Sequence, residues 1–292
     1  MTSTSTSTAA AAANELPELI TTVFPSNGQL LVEETDELLN ASLAAMRADL
    51  ARKPAWSGAP EPTDACLLQF LRAEIFAPDK AAKRYRKFWQ ARISDDTISV
   101  FLWGPDKAAS PPRVQDAARA LNKRFCQIVP GSRDIEGRPV IFVDVGQNDK
   151  SLDMKERVRA VWYVMLAALE DVETQRRGVC MLASLKMAKI TQMDPTFDKT
   201  VLYSVQGALP VRIGSMNMCY PPSFFRIGWA IISKFLSERL KQRFHVHSGA
   251  GSVLLEKLAS LVAAEDVPSP MGSKEIDFDA WLAVRIRHEE IS

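Results

Sequence analysis

The sequence has few of the residues from which catalytic and metal sites are commonly built. Its 292 residues include three histidines and four cysteines, and no two cysteines form a C-x-x-C pair. The cysteines therefore indicate buried thiols in a reducing compartment rather than a disulfide framework or a zinc site. The sequence also has no G-x-S-x-G nucleophile elbow. We therefore expect a protein that is not an enzyme and has no catalytic residues, metal or cofactor.

Charge and hydropathy exclude two further classes. The net charge is only +1, so no overall field attracts nucleic acid, and we expect none as a partner. The longest apolar stretch, PPSFFRIGWAIISKFL, is interrupted by Arg226 and Lys234, and no uninterrupted run reaches the roughly 18 to 20 residues of a membrane span. The opening residues have no basic segment before a short alanine run, so they make a poor signal peptide. These features predict a cytoplasmic protein with a disordered tail over residues 1–30.

Two patterns divide the rest of the chain. Over residues 31–100 apolar side chains recur at helical spacing, as at Leu39, Leu43 and Met46, which predicts an all-helical N-terminal segment. WGPDKAASPPR is typical of a linker. Over residues 113–273 apolar strands alternate with helices, the strands being VIFVDVG, GVCMLASL, IGSMNMCY and RFHVH. This alternation predicts an α/β domain with a mostly parallel sheet covered by helices, followed by a C-terminal helical tail over residues 274–292.

The stretch SERLKQRFHVHSG holds two of the three histidines. His245 and His247 share one face of a strand and could bind one metal ion, but no further histidine or cysteine lies nearby to complete a tetrahedral set. The adjoining HSGAGSVLLEKL joins strand to helix through glycines, as phosphate loops do. It has neither the third glycine of the dinucleotide fingerprint nor the Lys-Ser/Thr of a P-loop, and Ser252 as a helix N-cap explains it equally well.

Basic residues are concentrated before these histidines. Between Val205 and His247 there is one acidic residue, Glu238, against six basic residues: Arg212, Arg226, Lys234, Arg239, Lys241 and Arg243. Such a run is usually a solvated face. However, it adjoins a predicted helix, Phe224 to Leu236, that is apolar nearly all round. A helix of this kind is either part of the core or covers an apolar ligand.

The order of the segments resembles the CRAL-TRIO family of lipid-binding proteins. CLLQFLRAEIF is similar to the family's L-L-R-F-L-R-A-R-x-F, and DIEGRPVIFVDVG to its D-x-x-G-R-P-V strand entry. FLSERLKQRFHVH and VAAEDVPSPMGS resemble its closing segments. DVETQRRG is similar to the E-V-E-T-Q-R-N-G of the branch that contains tocopherol-transfer and retinaldehyde-binding proteins. The resemblance covers roughly residues 33–273 and is closest to that branch.

The resemblance implies a sheet that floors an apolar lipid pocket closed by a gate helix, after a helical N-terminal segment. It identifies HVH as a family strand rather than a metal site. A hydrophobic ligand or lipid is the expected partner, carried or presented at membranes that the protein contacts transiently. The predicted pocket residues come from the long helix, the strands and the gate helix: Val158, Val161, Trp162, Met165, Val179, Met181, Met216, Phe225, Ile232 and Leu236.

The resemblance also implies recognition of phosphoinositide head groups at the membrane surface. The family's basic positions fall on Arg212, Arg239 and Arg243, and arginine suits bidentate contact with phosphate. A fourth basic position is Glu74 here, which we expect to weaken such binding. Two alternatives stay open at this stage: a phosphoinositide-binding membrane adaptor that transfers no lipid, and, with less support, an enzyme acting on lipids.

Overall fold

The computed structural model describes residues 23–26, 29–54, 59–93, 110–249 and 251–291, and the chain forms two compact units. The first unit comprises Met1–Ser110 together with Gly207–Arg212, and the second comprises Pro111–Gln206 and Ile213–Ser292. Residues 207–212 fall in the predicted α/β domain of residues 113–273 and outside the predicted helical segment of residues 31–100. Residues 103–109 of the predicted linker, WGPDKAASPPR, lie outside the described residues.

The first unit consists of a strand pair and three helices. The elements are β1 (Val23–Ser26), β2 (Gln29–Val32), α1 (Asp36–Arg52), α2 (Asp64–Ala73) and α3 (Pro78–Ile93). β1 and β2 pair antiparallel, so the strand pair begins inside the segment of residues 1–30 that was expected to be disordered. The first 22 residues of that segment lie outside the described residues. Side-chain oxygens of Thr35 and Thr63 accept hydrogen bonds from the first turns of α1 and α2, which fixes where both helices begin.

An aromatic cluster and an ion pair hold the first unit together. The Phe70 ring lies edge-on to those of Tyr85 and Phe88, with centroids 5.1 and 5.6 Å away. Arg84 donates to a Glu74 carboxylate oxygen at 2.5 Å and to the Leu209 carbonyl at 2.6 Å. Glu74 is therefore the counter-ion of a buried arginine, and this arginine also fixes the segment that contains Leu209.

The second unit is built on a five-stranded sheet. Its strands are β3 (Cys126–Arg133), β4 (Pro139–Asp144), β5 (Val179–Ser184), β6 (Ile213–Cys219) and β7 (Phe244–His247), in that spatial order. β3 pairs antiparallel with β4, and every other neighbouring pair is parallel. The predicted α/β class with a mostly parallel sheet is confirmed. β5 is buried along its whole length, as expected for a strand covered on both faces.

Helices connect and cover these strands. They are α4 (Ala118–Asn122), α5 (Met154–Ala168), α6 (Val172–Arg177), α7 (Pro195–Tyr203), α8 (Phe225–Ile232), α9 (Glu238–Lys241), α10 (Ser252–Leu258) and α11 (Phe278–Ile291). None of the helices within the described ranges is long and apolar enough to cross a membrane.

Capping residues separate α5 from α6 and α8 from α9. The stretch from residue 152 to 175 divides into α5 and α6 because Asp171 caps α6 by accepting from the backbone of Glu173 and Thr174. The predicted gate helix ends in a 3-10 turn at Ser233–Phe235, and Leu236 is extended at φ −84° and ψ 132°. Ser237 then caps α9. Arg239 lies on α9, and Arg243 follows that helix.

A buried ion pair closes the turn between β3 and β4. The Nε of Arg138 donates to Asp134 at 2.6 Å, and both side chains are almost fully buried. The other Asp134 oxygen accepts from the backbone N–H groups of Glu136 and Arg138. Arg138 lies against β6 at Gly214, where a Cβ would overlap the guanidinium group. A residue without a side chain is therefore required at that position of β6.

The C-terminal helix α11 packs against α5. Its Phe278 is 1% exposed, and the Trp281 ring lies edge-on to Tyr163 at 6.1 Å. The Tyr163 hydroxyl donates to Glu289 at 2.5 Å, and Arg285 makes a two-pronged ion pair with Glu170 at 2.7 Å. These contacts fix residues 278–291, the greater part of the predicted helical tail, to the second unit.

Candidate functional site

One face of the sheet in the second unit floors a cavity of about 210 Å³. Alternate residues of β5 and β6 line it, namely Met181, Ala183, Met216 and Met218, because residues two apart on a strand share a face. The walls come from Val161 of α5 and from Phe197, Val201 and Leu202 of α7. Apart from four polar or charged residues, the described lining is apolar or glycine.

The helix α8 forms a further wall of the cavity. Phe225, Gly228, Trp229 and Ile232 line the space at the spacing that places side chains on one helix face. Phe225 and Trp229 stack with ring centroids 6.4 Å apart, and the ring centroids of Trp229 and Phe244 of β7 are 4.4 Å apart. Gly228 is the only buried residue of α8. This helix is therefore half-buried although it is apolar, with one face on the cavity.

Five of the ten predicted pocket residues lie on the cavity wall: Val161, Met181, Met216, Phe225 and Ile232. The other five are buried elsewhere in the second unit: Val158, Trp162, Met165, Val179 and Leu236. Helix α5 is buried on all sides, so its periodicity could not indicate which face meets the cavity. Val179 is two residues before Met181 and shares its face of β5, but it is the first residue of that strand and does not line the cavity.

Several lining residues were not predicted from the sequence. They are chiefly Met193, Phe197, Asp198, Val201, Leu202, Met218 and Phe244. The signal on α7 was the helical spacing of Phe197 and Val201. An aspartate beside them is more typical of a solvated helix face than of a cavity wall.

Asp198 is a carboxyl group in this apolar wall. Burial, reinforced by the nearby negative charge of Asp194, raises its pKa to about 7, although Arg157 acts in the opposite direction. Asp194 itself accepts from Arg157 at 2.8 Å and caps α7 at the Phe197 N–H, and its pKa is lowered. The two carboxyl groups one turn apart on α7 therefore have opposite shifts.

The raised pKa of Asp198 predicts a pH-dependent stability. A carboxyl whose pKa is higher in the folded protein stabilises it most below the unfolded value, and that stability is lost as pH rises through about 7. Asp198→Asn removes this ionisation. We expect the melting temperature of the wild type to fall relative to Asp198→Asn as pH is raised from about 5 to about 8. Paired thermal scans across that range measure the difference, and a constant difference would contradict the prediction.

The basic residues predicted to bind phosphate have different environments. Arg239 is exposed on α9. Arg243 is half-buried and donates to the Ile213 carbonyl at 2.9 Å; burial, with the charges of Arg239 and Arg138, lowers its pKa to about 10, so it is still a cation at neutral pH. Arg212 belongs to the first unit and is 6% exposed. Of the three, Arg239 and Arg243 have side chains that are exposed or half-exposed, so a phosphate in solution or at a membrane surface can reach them.

The two histidines of β7 belong to the sheet edge. The Nε2 of His247 lies 2.9 Å from the Asn217 amide oxygen on β6, and burial, with the charges of His245 and Lys257, lowers the pKa of His247. The two imidazole centroids are 6.4 Å apart. Within the described ranges no group of three histidine, cysteine or acidic side chains could hold a metal ion.

Comparison with known proteins matches most of the second unit to one family. The sequence profile described as CRAL/TRIO domain matches residues 122–272, just over half of the chain. A mouse protein named alpha-tocopherol transfer protein-like is 27% identical over 231 residues, which cover 78% of this chain and 64% of the mouse protein. The human protein of the same name is 25% identical over 98% of this chain and 84% of its own length.

Among solved structures, the crystal structure of Sfh5 is similar in fold. The alignment has a TM-score of 0.55 and 13% sequence identity, and it covers 88% of this chain and all of Sfh5. At this identity the likeness concerns the fold alone.

Proposed function

Because the chain belongs to the CRAL/TRIO family, a family of lipid-binding and lipid-transfer proteins, we propose that it carries a hydrophobic ligand or lipid in the cavity beneath α8. It transfers or presents this ligand at membranes, from a cytoplasmic location with transient membrane contact. The observation that carries the proposal is an apolar cavity in which one wall, α8, is itself apolar and only half-buried.

The physical case for a carrier is the match between this cavity and a lipid tail. Each buried methylene of a lipid contributes about 0.8 kcal/mol, so a carrier must offer a surface as apolar as the bilayer interior. The methionines of β5 and β6 suit such a role, because their flexible thioethers adapt to irregular ligands. An apolar helix that is only half-buried is suited to moving away from the cavity. Because part of its apolar surface is already exposed to water, the movement exposes less additional apolar surface.

The lining supports a carrier over an enzyme. Cys126 is the thiol on the cavity wall, and burial raises its pKa to about 12. A thiol with this pKa is protonated at neutral pH and is a poor nucleophile. The relatives named alpha-tocopherol transfer protein-like agree with a carrier, whereas a membrane adaptor without transfer would leave the cavity unused.

Extraction of the purified protein tests this function. We expect organic solvent to release close to one equivalent of a hydrophobic molecule, which mass spectrometry identifies, and delipidated protein to move a labelled lipid between vesicles. A preparation that contains no such molecule and transfers none of a panel of lipids would favour the adaptor.

We also propose that membrane contact includes phosphoinositide recognition by Arg239 and Arg243. Arg239 is exposed, and Arg243 is held near it by its bond to Ile213. The lowered pKa of Arg243, in part from the charge of Arg239, reflects repulsion between these cations that a bound phosphate would relieve. The predicted third contact, Arg212, is buried and is not part of the test variant.

Flotation with vesicles that contain a bisphosphorylated phosphoinositide tests this surface. Each cation near an anionic membrane contributes about 1 kcal/mol, so Arg239→Gln with Arg243→Gln should weaken binding by about thirtyfold at low salt. The loss should shrink at high salt because exposed charges are screened. Unchanged binding by this double variant would show that the basic residues are only a solvated face.

A matched control comes from the helix α3 of the first unit. Lys83 is exposed and Lys87 lies one turn further along the same helix. Neutralising both as glutamine removes as much charge as the test variant. We expect little change in vesicle binding, and a loss as large as that of the arginine variant would indicate non-specific attraction.

A further inference from the structure

The polar part of the cavity is confined to few groups. Four of the described lining residues carry a polar or charged side chain: Asn148, Lys189, Gln192 and Asp198. The Gln192 amide is already engaged, because its Nε2 donates to the Gly146 carbonyl and its Oε1 accepts from the Lys189 N–H, both at 2.7 Å. Lys189 is exposed. Asn148 and Asp198 are therefore the polar groups left for a ligand inside.

The Asp198 side chain has fewer hydrogen-bond partners than the Asn148 side chain. The Asn148 amide oxygen accepts from Arg157 at 3.2 Å, whereas no described residue donates a hydrogen bond to the Asp198 carboxyl. Asp198 shares a face of α7 with Val201 and Leu202, which line the cavity one turn further along. The Asp198 side chain is partly exposed, so its carboxyl oxygens are left to bond to water or to a ligand in the cavity.

Arg157 places the two polar groups at the same end of the cavity. One of its terminal nitrogens donates to Asn148 and the other to Asp194, one turn before Asp198. Its guanidinium also lies over the Phe197 ring at 4.6 Å. Because Asp194 already neutralises Arg157, this cation is not free to pair with an anionic ligand.

From this arrangement we infer that Asp198 is the polar anchor of the cavity and selects a neutral lipid that carries a hydroxyl group. The carboxyl accepts the hydroxyl hydrogen when ionised and exchanges a hydrogen bond with the hydroxyl oxygen when protonated, while the rest of the lipid lies against the methionine and aromatic walls. A lipid with an anionic head, such as a fatty acid, meets a carboxyl group whose neighbouring cation, Arg157, is already paired with Asp194. This inference rests on the proposed function and specifies its ligand class.

The charge balance around Asp198 makes the rejection of anions dependent on pH. Because the pKa of Asp198 is raised to about 7, the carboxyl changes from largely neutral to largely ionised around neutral pH. The charged groups near this end of α7 are Lys150, Arg157, Lys189, Asp194 and Lys199. Of these, Arg157 is paired with Asp194, Lys150 donates to the carbonyls of Thr191 and Met193, and Lys189 and Lys199 are exposed.

Binding of four probes with the same chain tests the inference: dodecanol, dodecanoate, dodecylamine and dodecane. For the delipidated full-length protein we expect dodecanol to bind about tenfold more tightly than dodecane, the equivalent of one hydrogen bond. Asp198→Leu should remove that preference. Asp198→Asn, which retains hydrogen-bonding atoms, should keep it and should bind dodecanoate better than the wild type does above about pH 7.

The controls separate this inference from the function on which it rests. Lys199→Gln changes an exposed neighbour on the same helix and should leave all four affinities unchanged. If Asp198→Leu keeps the preference for dodecanol over dodecane, or if dodecylamine binds best of all, the inference is wrong although the protein still binds lipids. If the wild type binds none of the four probes, the proposed function fails and the inference fails with it.

Discussion

Replacing Phe225 and Ile232 with aspartate should abolish lipid retention while the fold survives. Both side chains lie on the cavity face of α8, where a carboxylate cannot be hydrated once the helix closes over a ligand. Burying even one unpaired charge costs several kcal/mol, so retention should fall by about a hundredfold or more. The amount of co-purifying lipid per protein, measured by mass spectrometry, reports the effect.

The same helix offers a matched control for this variant. Ile227 is 56% exposed and does not line the cavity. Ile227→Asp introduces one such charge within α8, against two in the double variant, and its lipid content should stay close to that of the wild type, whereas Phe225→Asp or Ile232→Asp alone should each lower it. Equal losses from the two variants would mean that α8 requires apolar residues for folding, and wild-type retention by the double variant would refute a lid role for α8.

Removal of Arg138 should have the largest effect on stability. Arg138→Met leaves the Asp134 carboxylate buried at the β3–β4 turn without its counter-ion. Breaking one partner of a buried ion pair typically costs about 3–5 kcal/mol, which denaturant unfolding monitored by circular dichroism measures as a lower midpoint. The two terminal nitrogens of Arg138 have no hydrogen-bond partner among the described residues, so burial of the arginine itself carries a cost in free energy.

A second variant identifies the origin of that loss. In Asp134→Asn with Arg138→Met the lone buried charge is removed, while the asparagine oxygen can still accept from the turn backbone. This double variant should recover a large part of the stability lost in Arg138→Met. If it is instead the less stable of the two, the loss comes from packing of the arginine against Gly214 and not from the unpaired carboxylate.

The sheet of the second unit could be predicted from the sequence because its inner strands are buried. The centres of β4 and β5 appear as short continuous apolar runs, which is the pattern of strands covered on both faces, whereas β6 contains Ser215 and Asn217 between apolar residues. β3 was not predicted. It contains Pro130 and Gly131 and lies at the sheet edge with an irregular register, and both residues weaken a strand signal.

The cavity could be predicted only in part, because the pattern of apolar residues does not show which face of a helix is turned toward the cavity. On α8 the apolar residues include Ile227 as well as Phe225 and Ile232, and the sequence alone does not separate the cavity face from the outer face. The predicted end of this helix at Leu236 lies one residue past the observed end at Phe235, but the apolar pattern does not show that its last three residues, Ser233–Phe235, form a 3-10 turn. Asp198 was missed because a charged residue is ordinarily a sign of solvent.

The assignment of Gly207–Arg212 to the first unit has a consequence for synthesis on the ribosome. The three helices before residue 94 emerge early, but the Leu209 carbonyl that binds Arg84 is made roughly 100 residues later than the end of the linker. At about 5–20 residues per second this delay is on the order of 5–20 seconds. During that interval the nascent helices hold Arg84 against Glu74 alone, so the N-terminal unit reaches its final state only after much of the sheet has left the ribosome.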